Sequence, residues 1–145
     1  MTSLETHFAS YDGYHKTKGN KLTHYVGIPL IVFATFGLLA AIPLPAPDWF
    51  SLGLVAWLAS SVFYVRLDKK RGAQFSFVTL IIYLASRWYR WKTHVVLFII
   101  GWAFQYIGHY KYEKKSPAFY TNLSHLLIGP FWIFCNLMSP KKSEN

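Results

Sequence analysis

Histidine is the residue type in this chain with the widest chemical reach, and there are six of them. His15 and His24 sit just before and at the opening of the first apolar run, His109 closes a later run, and His125 stands a few turns into the last. Imidazole suits iron, zinc, copper and nickel, and an ionisable side chain at or within a membrane is functional by default. A lone histidine is more often a hydrogen-bonded packing residue than a ligand; the joint placement makes a metal site an equal alternative. The spacing adds polar company. Asn20 and His24 are four apart, as are His109 and Glu113, with Gln105 one turn before His109. On helices such pairs share a face, so Gln105, His109 and Glu113 form a row of amide, imidazole and carboxylate. This makes His15, His24, His109 and His125 candidate metal ligands, and Asn20, Gln105 and Glu113 candidate catalytic residues. Plainer roles stay open: Glu113 as a surface charge paired with Lys114 or Lys115, and Gln105 as a helix–helix hydrogen bond. Asp12, three residues before His15, is a candidate to orient that ring.

Other chemistries fit less well. Cys135 is the single cysteine, which excludes an internal disulfide and a cysteine pair for zinc. No glycine-rich phosphate loop is present, and six scattered histidines do not reproduce the short repeated boxes of membrane di-iron desaturases.

The elements that must position these residues are apolar helices. The chain is 53% hydrophobic and only 14% charged, against about 25% in a soluble domain. Its charges are confined to clusters between long apolar runs, because a charge at a bilayer centre costs at least ~2.5 kcal/mol. The runs are 25–44, 49–65, 72–86 and 93–110, the first with 20 uncharged residues, enough for a ~30 Å hydrocarbon core. Gly27 and Pro29 fall near the start of the first run, where proline is tolerated. The stretch from Tyr11 to Tyr14 reads as a turn, and Arg66 to Arg71 as a charged loop. A fifth apolar stretch, 116–140, is interrupted by Asn122, Ser124, His125, Gly129 and Pro130, and either spans, re-enters or packs on the others. The expected fold is all-α: a multi-pass transmembrane bundle of four to five apolar helices over 24–140, with a polar lead-in over 1–23 and a polar tail over 141–145.

The net charge of +9 follows the same logic. Basic residues flank apolar segments and build no separate basic domain, so nucleic acid is not an expected partner. With four spans, the N-terminal side receives ten basic residues, among them Lys16, Lys21, Arg66, Lys70 and Lys111, against Arg87, Arg90 and Lys92 opposite. The excess marks the N-terminal side as cytoplasmic. His15, His24, His109 and His125 all fall toward that face, and His94 toward the other.

Several stretches resemble the Mpo1-like family: 14–29, carrying His15, Asn20 and His24; 101–109, carrying Gln105 and His109; 112–119, carrying Glu113; and 122–130, carrying His125. The resemblance covers both ends of the chain, the middle agreeing only in hydropathy. It implies an iron(II)-dependent dioxygenase that takes a 2-hydroxy fatty acid and dioxygen to a fatty acid one carbon shorter, with His15, His24 and His109 at the family's histidine positions. Such an acid offers carboxylate and hydroxyl as adjacent oxygen ligands and supplies its own electrons, so 2-oxoglutarate is not needed. The implied setting is the lipid bilayer, with the active site at the cytoplasmic face of the inner membrane in a bacterium or of the endoplasmic reticulum in a eukaryote. The alternative is a non-enzymatic membrane protein, a transporter or assembly factor, with structural or proton-relay histidines. Oligomeric state is not legible in the sequence.

His15 and Lys70 are expected on the cytoplasmic side and Trp88 near the opposite face; cysteine-accessibility labelling that places position 70 outside would overturn the four-span order.

Overall fold

The computed structural model describes residues 3–138. Among these the chain is all helix: α1 (Ser3–Tyr14), α2 (Lys18–Ala40), α3 (Leu52–Leu67), α4 (Lys69–Ser86), α5 (Trp91–Tyr106), a π-helix (Ile107–Glu113), a 3-10 turn (Ala118–Tyr120) and α6 (His125–Met138). The basic pair Lys141 and Lys142 lies outside the described residues.

Several boundaries differ from the sequence reading. The expected turn at Tyr11 to Tyr14 is the last turn of α1. The Thr17 side chain caps α2 by accepting from the backbone N–H of Asn20, so that helix starts inside the polar lead-in. Pro29 is therefore interior rather than initial, and its missing N–H withholds the usual donor from the Tyr25 carbonyl. The expected charged loop shrinks to Asp68 alone, which ends α3 and caps α4 by accepting from the Arg71 N–H at 2.8 Å. Among the described residues only α2, with 23 residues and a mean hydropathy of 1.8 over an 18-residue window, is long and apolar enough to cross a membrane by itself. α3 and α6 are apolar but shorter, at 16 and 14 residues.

Small residues decide how these helices meet. α2 and α5 run antiparallel and cross where Gly27 faces Gly101. A Cβ on Gly27 would stand 2.7 Å from the Gly101 carbonyl oxygen, and one on Gly101 would stand 2.9 Å from the Gly27 carbonyl oxygen. Hydrogen is the only side chain this backbone approach accepts, as at other close crossings of apolar helices. Gly72 does the same for the α3–α4 hairpin, where a Cβ would strike the Tyr64 carbonyl. α6 and α1 pack at the end of the bundle where the histidines lie. Tyr64, Phe75, Phe131, Cys135 and Leu4 form one buried cluster, and Tyr11, Ile28, Ile128, Trp132 and Ile133 another. Outside, Val55, Leu58 and Val62 of α3, Phe77, Ile81 and Leu84 of α4, and Val96 and Ile99 of α5 are exposed at helical spacing.

Gly101→Ala is expected to push α2 from α5 and cost about 1–3 kcal/mol, the usual scale of overpacking. Thermal unfolding in detergent checks this, and an unchanged midpoint would mean the crossing is looser than described.

Candidate metal centre

Three imidazoles meet at one end of the α2–α5 pair. His15 lies in the link between α1 and α2, His24 lies in the second turn of α2, and His109 is on the π-helix. With 3%, 1% and 3% of their surfaces exposed, all three are removed from solvent. The Nε2 of His24 is 3.0 Å from that of His15 and 3.1 Å from that of His109.

The far nitrogens decide what this convergence means. The Nδ1–H of His15 donates to the Tyr11 carbonyl at 2.7 Å, and the Nδ1–H of His24 donates to the Asn20 carbonyl at 2.8 Å. A carbonyl only accepts, so each neutral ring carries its one proton on Nδ1 and presents a bare lone pair at Nε2. Two lone pairs then face each other with no proton between them, an arrangement that a shared cation relieves. Backbone carbonyls on the second nitrogen are a common way of holding a metal-binding histidine. Imidazole nitrogens sharing one ion at about 2.1 Å stand roughly 3.0–3.4 Å apart, so both gaps fit. Burial lowers the His15 pKa to about 4 despite the raising effect of the Tyr11 carbonyl, and this keeps the ring in the neutral, ligating form. The Tyr11 ring also stacks on His15, with centroids 3.9 Å apart. Among the described residues, His15, His24 and His109 form a group that can hold a metal ion.

The other sequence candidates lie around this trio in different roles. His125 is buried and lines the same cavity of about 70 Å³, but it stands outside the three-nitrogen group, with its Nε2 3.1 Å from the Ser10 hydroxyl. Gln105 is buried in the cavity wall over Gly27, and its Nε2 has no hydrogen-bond partner among the described residues. The side chain of Asn20 donates to the Tyr14 carbonyl and to Glu113, each at 3.2 Å, while its backbone carbonyl holds His24. Gly108 gives this assembly room, since a Cβ there would strike Thr23 and Asn20. His94 is at the opposite end, bonded to the Ser86 carbonyl at 2.9 Å and seated on Gly37.

Glu113 caps α2 across 97 residues of sequence. Its carboxylate accepts the backbone N–H groups of Lys16 and Thr17 at 3.1 Å and the Thr17 hydroxyl at 3.0 Å, besides the Asn20 amide. Burial works against its ionisation, but the Thr17 and Lys16 N–H groups and the Asn20 and Thr17 side chains outweigh it and hold the pKa down to about 2. A carboxylate at a helix N-terminus also meets the positive end of the helix dipole. The Asp12 carboxylate accepts the Trp132 indole N–H at 2.9 Å, and the His15 ring nitrogen Nδ1 is held by the Tyr11 carbonyl. Tyr11 and Ser10 were not candidates from sequence. Their signal is the one-turn spacing from Tyr11 to His15, which counts only once α1 is known to run through to Tyr14.

Comparison with known proteins covers nearly the whole chain. A family model described as "2-hydroxy-palmitic acid dioxygenase Mpo1-like" matches residues 1–141. The 2-hydroxy-palmitic acid dioxygenase MPO1 of Saccharomyces cerevisiae is 31% identical over 140 residues, which are 92% of this chain and 78% of the yeast protein. No solved structure matches.

Glu113→Ala is expected to lower stability by roughly 1 kcal/mol, as loss of a charged helix cap does. Because the folded pKa is depressed, the carboxylate's contribution is complete above the free value of about 4.5 and is lost as the pH falls toward 2. Unfolding midpoints of wild type and Glu113→Ala should therefore differ at pH 7 and converge in acid; a constant difference would mean the charge plays no part.

Proposed function

The chain belongs to the Mpo1-like family, and on that basis we propose that it is an iron(II)-dependent dioxygenase that shortens 2-hydroxy fatty acids by one carbon. The observation that carries this reading is the meeting of His15 and His24 through two unprotonated Nε2 atoms, with His109 alongside. The reaction balances with no further reductant: a 2-hydroxy acid and dioxygen give the acid one carbon shorter, carbon dioxide and water. The C1–C2 bond breaks, C2 is oxidised to the new carboxyl, and dioxygen is reduced.

His15, His24 and His109 hold the metal, with His125 as a fourth candidate whose Nδ1 is buried without a partner. Iron(II), when bound, supplies the one-electron chemistry through which dioxygen reacts with a closed-shell hydroxy acid. The Tyr11 and Asn20 carbonyls keep protons off the converging nitrogens. Gln105 has a free N–H to donate to an oxygen of the acid, and Asn20 and Glu113 hold His24 and His109 in register. Ile28, Ile31, Trp102 and Phe119 exclude water from the cavity.

The same reading places the protein in a membrane as a multi-pass bundle. Its support is α2, long enough to span, and the outward apolar stripes on α3, α4 and α5, which a water-soluble surface would carry as polar residues. The excess of basic residues at the histidine end puts the site at the cytoplasmic face.

Anaerobic purification with metal analysis, followed by oxygen uptake, tests the proposal. Expected are stoichiometric iron, conversion of 2-hydroxypalmitate to pentadecanoate and carbon dioxide, no turnover of palmitate and no effect of 2-oxoglutarate. His24→Ala and His109→Ala should each lose most of the iron and all activity, while His94→Ala keeps both. Wild-type metal content in both site variants, or equal turnover of plain and hydroxy acids, would overturn it; absence of metal after anaerobic iron loading would favour the non-enzymatic alternative.

A further inference from the structure

Behind the histidine cavity a larger one, of about 380 Å³, opens among α2, α3, α4, α5 and α6. The two share a neck, with Ile31, Val32, Trp102, Leu126 and Pro130 lining both. From there the larger cavity leads away from the rings to Phe36 of α2, Ala56 of α3 and Phe98 of α5. Phe36 lies 12 residues beyond His24, and Phe98 lies 11 before His109. At ~1.5 Å per residue the far wall is roughly 17 Å from the metal ligands, the length of a long acyl tail rather than a short one.

Three of the four hydroxyls in this wall are already used. Ser60 donates to the Trp57 carbonyl at 3.0 Å, Thr79 to the Ser76 carbonyl at 3.1 Å and Tyr64 to the Leu127 carbonyl at 2.9 Å. Water would find few partners there, so the space suits hydrocarbon. An apolar pocket of this size joined to the histidine cavity is the kind of space that takes a ligand.

We infer that this chamber holds the acyl tail of the hydroxy acid, and that Phe36, Ala56 and Phe98 at its far end set the tail length accepted. The head group is the one assigned by the dioxygenase reading, on which this inference rests. The geometry has one end fixed, by the histidines, and one end adjustable, by the side chain at position 56. A bulky residue at Ala56 shortens the chamber, and a small one at Phe98 lengthens it. A pocket contact of a single methylene changes discrimination by about tenfold or more.

The test has two readouts. A 2-hydroxypalmitate carrying a diazirine at its terminal carbon is photolysed with the wild-type protein and the labelled residues are mapped by peptide mass spectrometry. Labels are expected at or beside Phe36, Ala56 and Phe98, and excess 2-hydroxypalmitate should remove them. Labels confined to the outward-facing Val55, Leu58 and Val62 would overturn the chamber. In turnover, Ala56→Phe should raise the rate ratio of 2-hydroxydecanoate to 2-hydroxypalmitate at least about tenfold, and Phe98→Ala should shift preference toward longer acids. Oxygen uptake with unchanged chain-length preference in both variants would refute the length gauge and leave the dioxygenase reading intact. Correct labelling with no oxygen uptake on any 2-hydroxy acid would support the chamber and refute the dioxygenase reading.

Discussion

The contact on which the rest of the structure depends is the backbone-to-backbone approach of α2 and α5 at Gly27 and Gly101. His24 is three residues from the crossing on one helix, and Gln105 and His109 are one and two turns from it on the other. At a usual helix separation of 8–10 Å two histidines can approach only through long side-chain reach. At a glycine crossing their rings come within hydrogen-bond distance while their other nitrogens stay on backbone carbonyls. The π-helix then widens the last turns of the α5 rod, and Glu113 at its end is secured to the Lys16 and Thr17 N–H groups just before α2. Crossing and clasp bracket His24 and His109, so neither ring can shift along its axis without breaking one of them.

His15 enters by a different route. It belongs to neither long helix, and its position comes from α1, which is held against α6 by Tyr11, Trp132 and the Asp12–Trp132 hydrogen bond. The N-terminal segment is therefore part of the histidine cluster. Burial also sets the electrostatics. An imidazole away from water favours its neutral form, and the carbonyl on Nδ1 decides which nitrogen then faces inward. The structure spends its polarity on orienting rings rather than on charging them, which is what a site for a cation requires.

Much of this was legible in the sequence. Apolar runs separated by basic clusters mark the apolar helices α2 to α5 in order, and the i, i+4 pairs identify the faces that carry Asn20 with His24 and His109 with Glu113. The convergence of His15, His24 and His109 follows once the helices are counted. What was not legible depends on contacts across long separations. The role of Glu113 as a cap needs Lys16 and Thr17, which lie some 97 residues away. The π-helix leaves no mark in composition, since it differs from an α-helix only in which carbonyl each N–H chooses. Pro29 reads as initial from hydrophobicity alone, because Thr17 caps α2 within a polar stretch that hydrophobicity does not register. His125 shares the apolar setting of the others, and only the three-dimensional path of the chain separates its ring from theirs.

The clasp between Glu113 and the start of α2 also has a consequence in time. The chain is made from its N-terminus, and His15, His24 and their carbonyl partners emerge early, whereas His109 and Glu113 come in the final third. Until those residues leave the ribosome, the first two rings have no third nitrogen and α2 has no carboxylate at its N-terminus. The trio is thus closed by nearly the last helix to be synthesised, so a nascent chain cannot bring its three imidazoles together before most of the bundle exists.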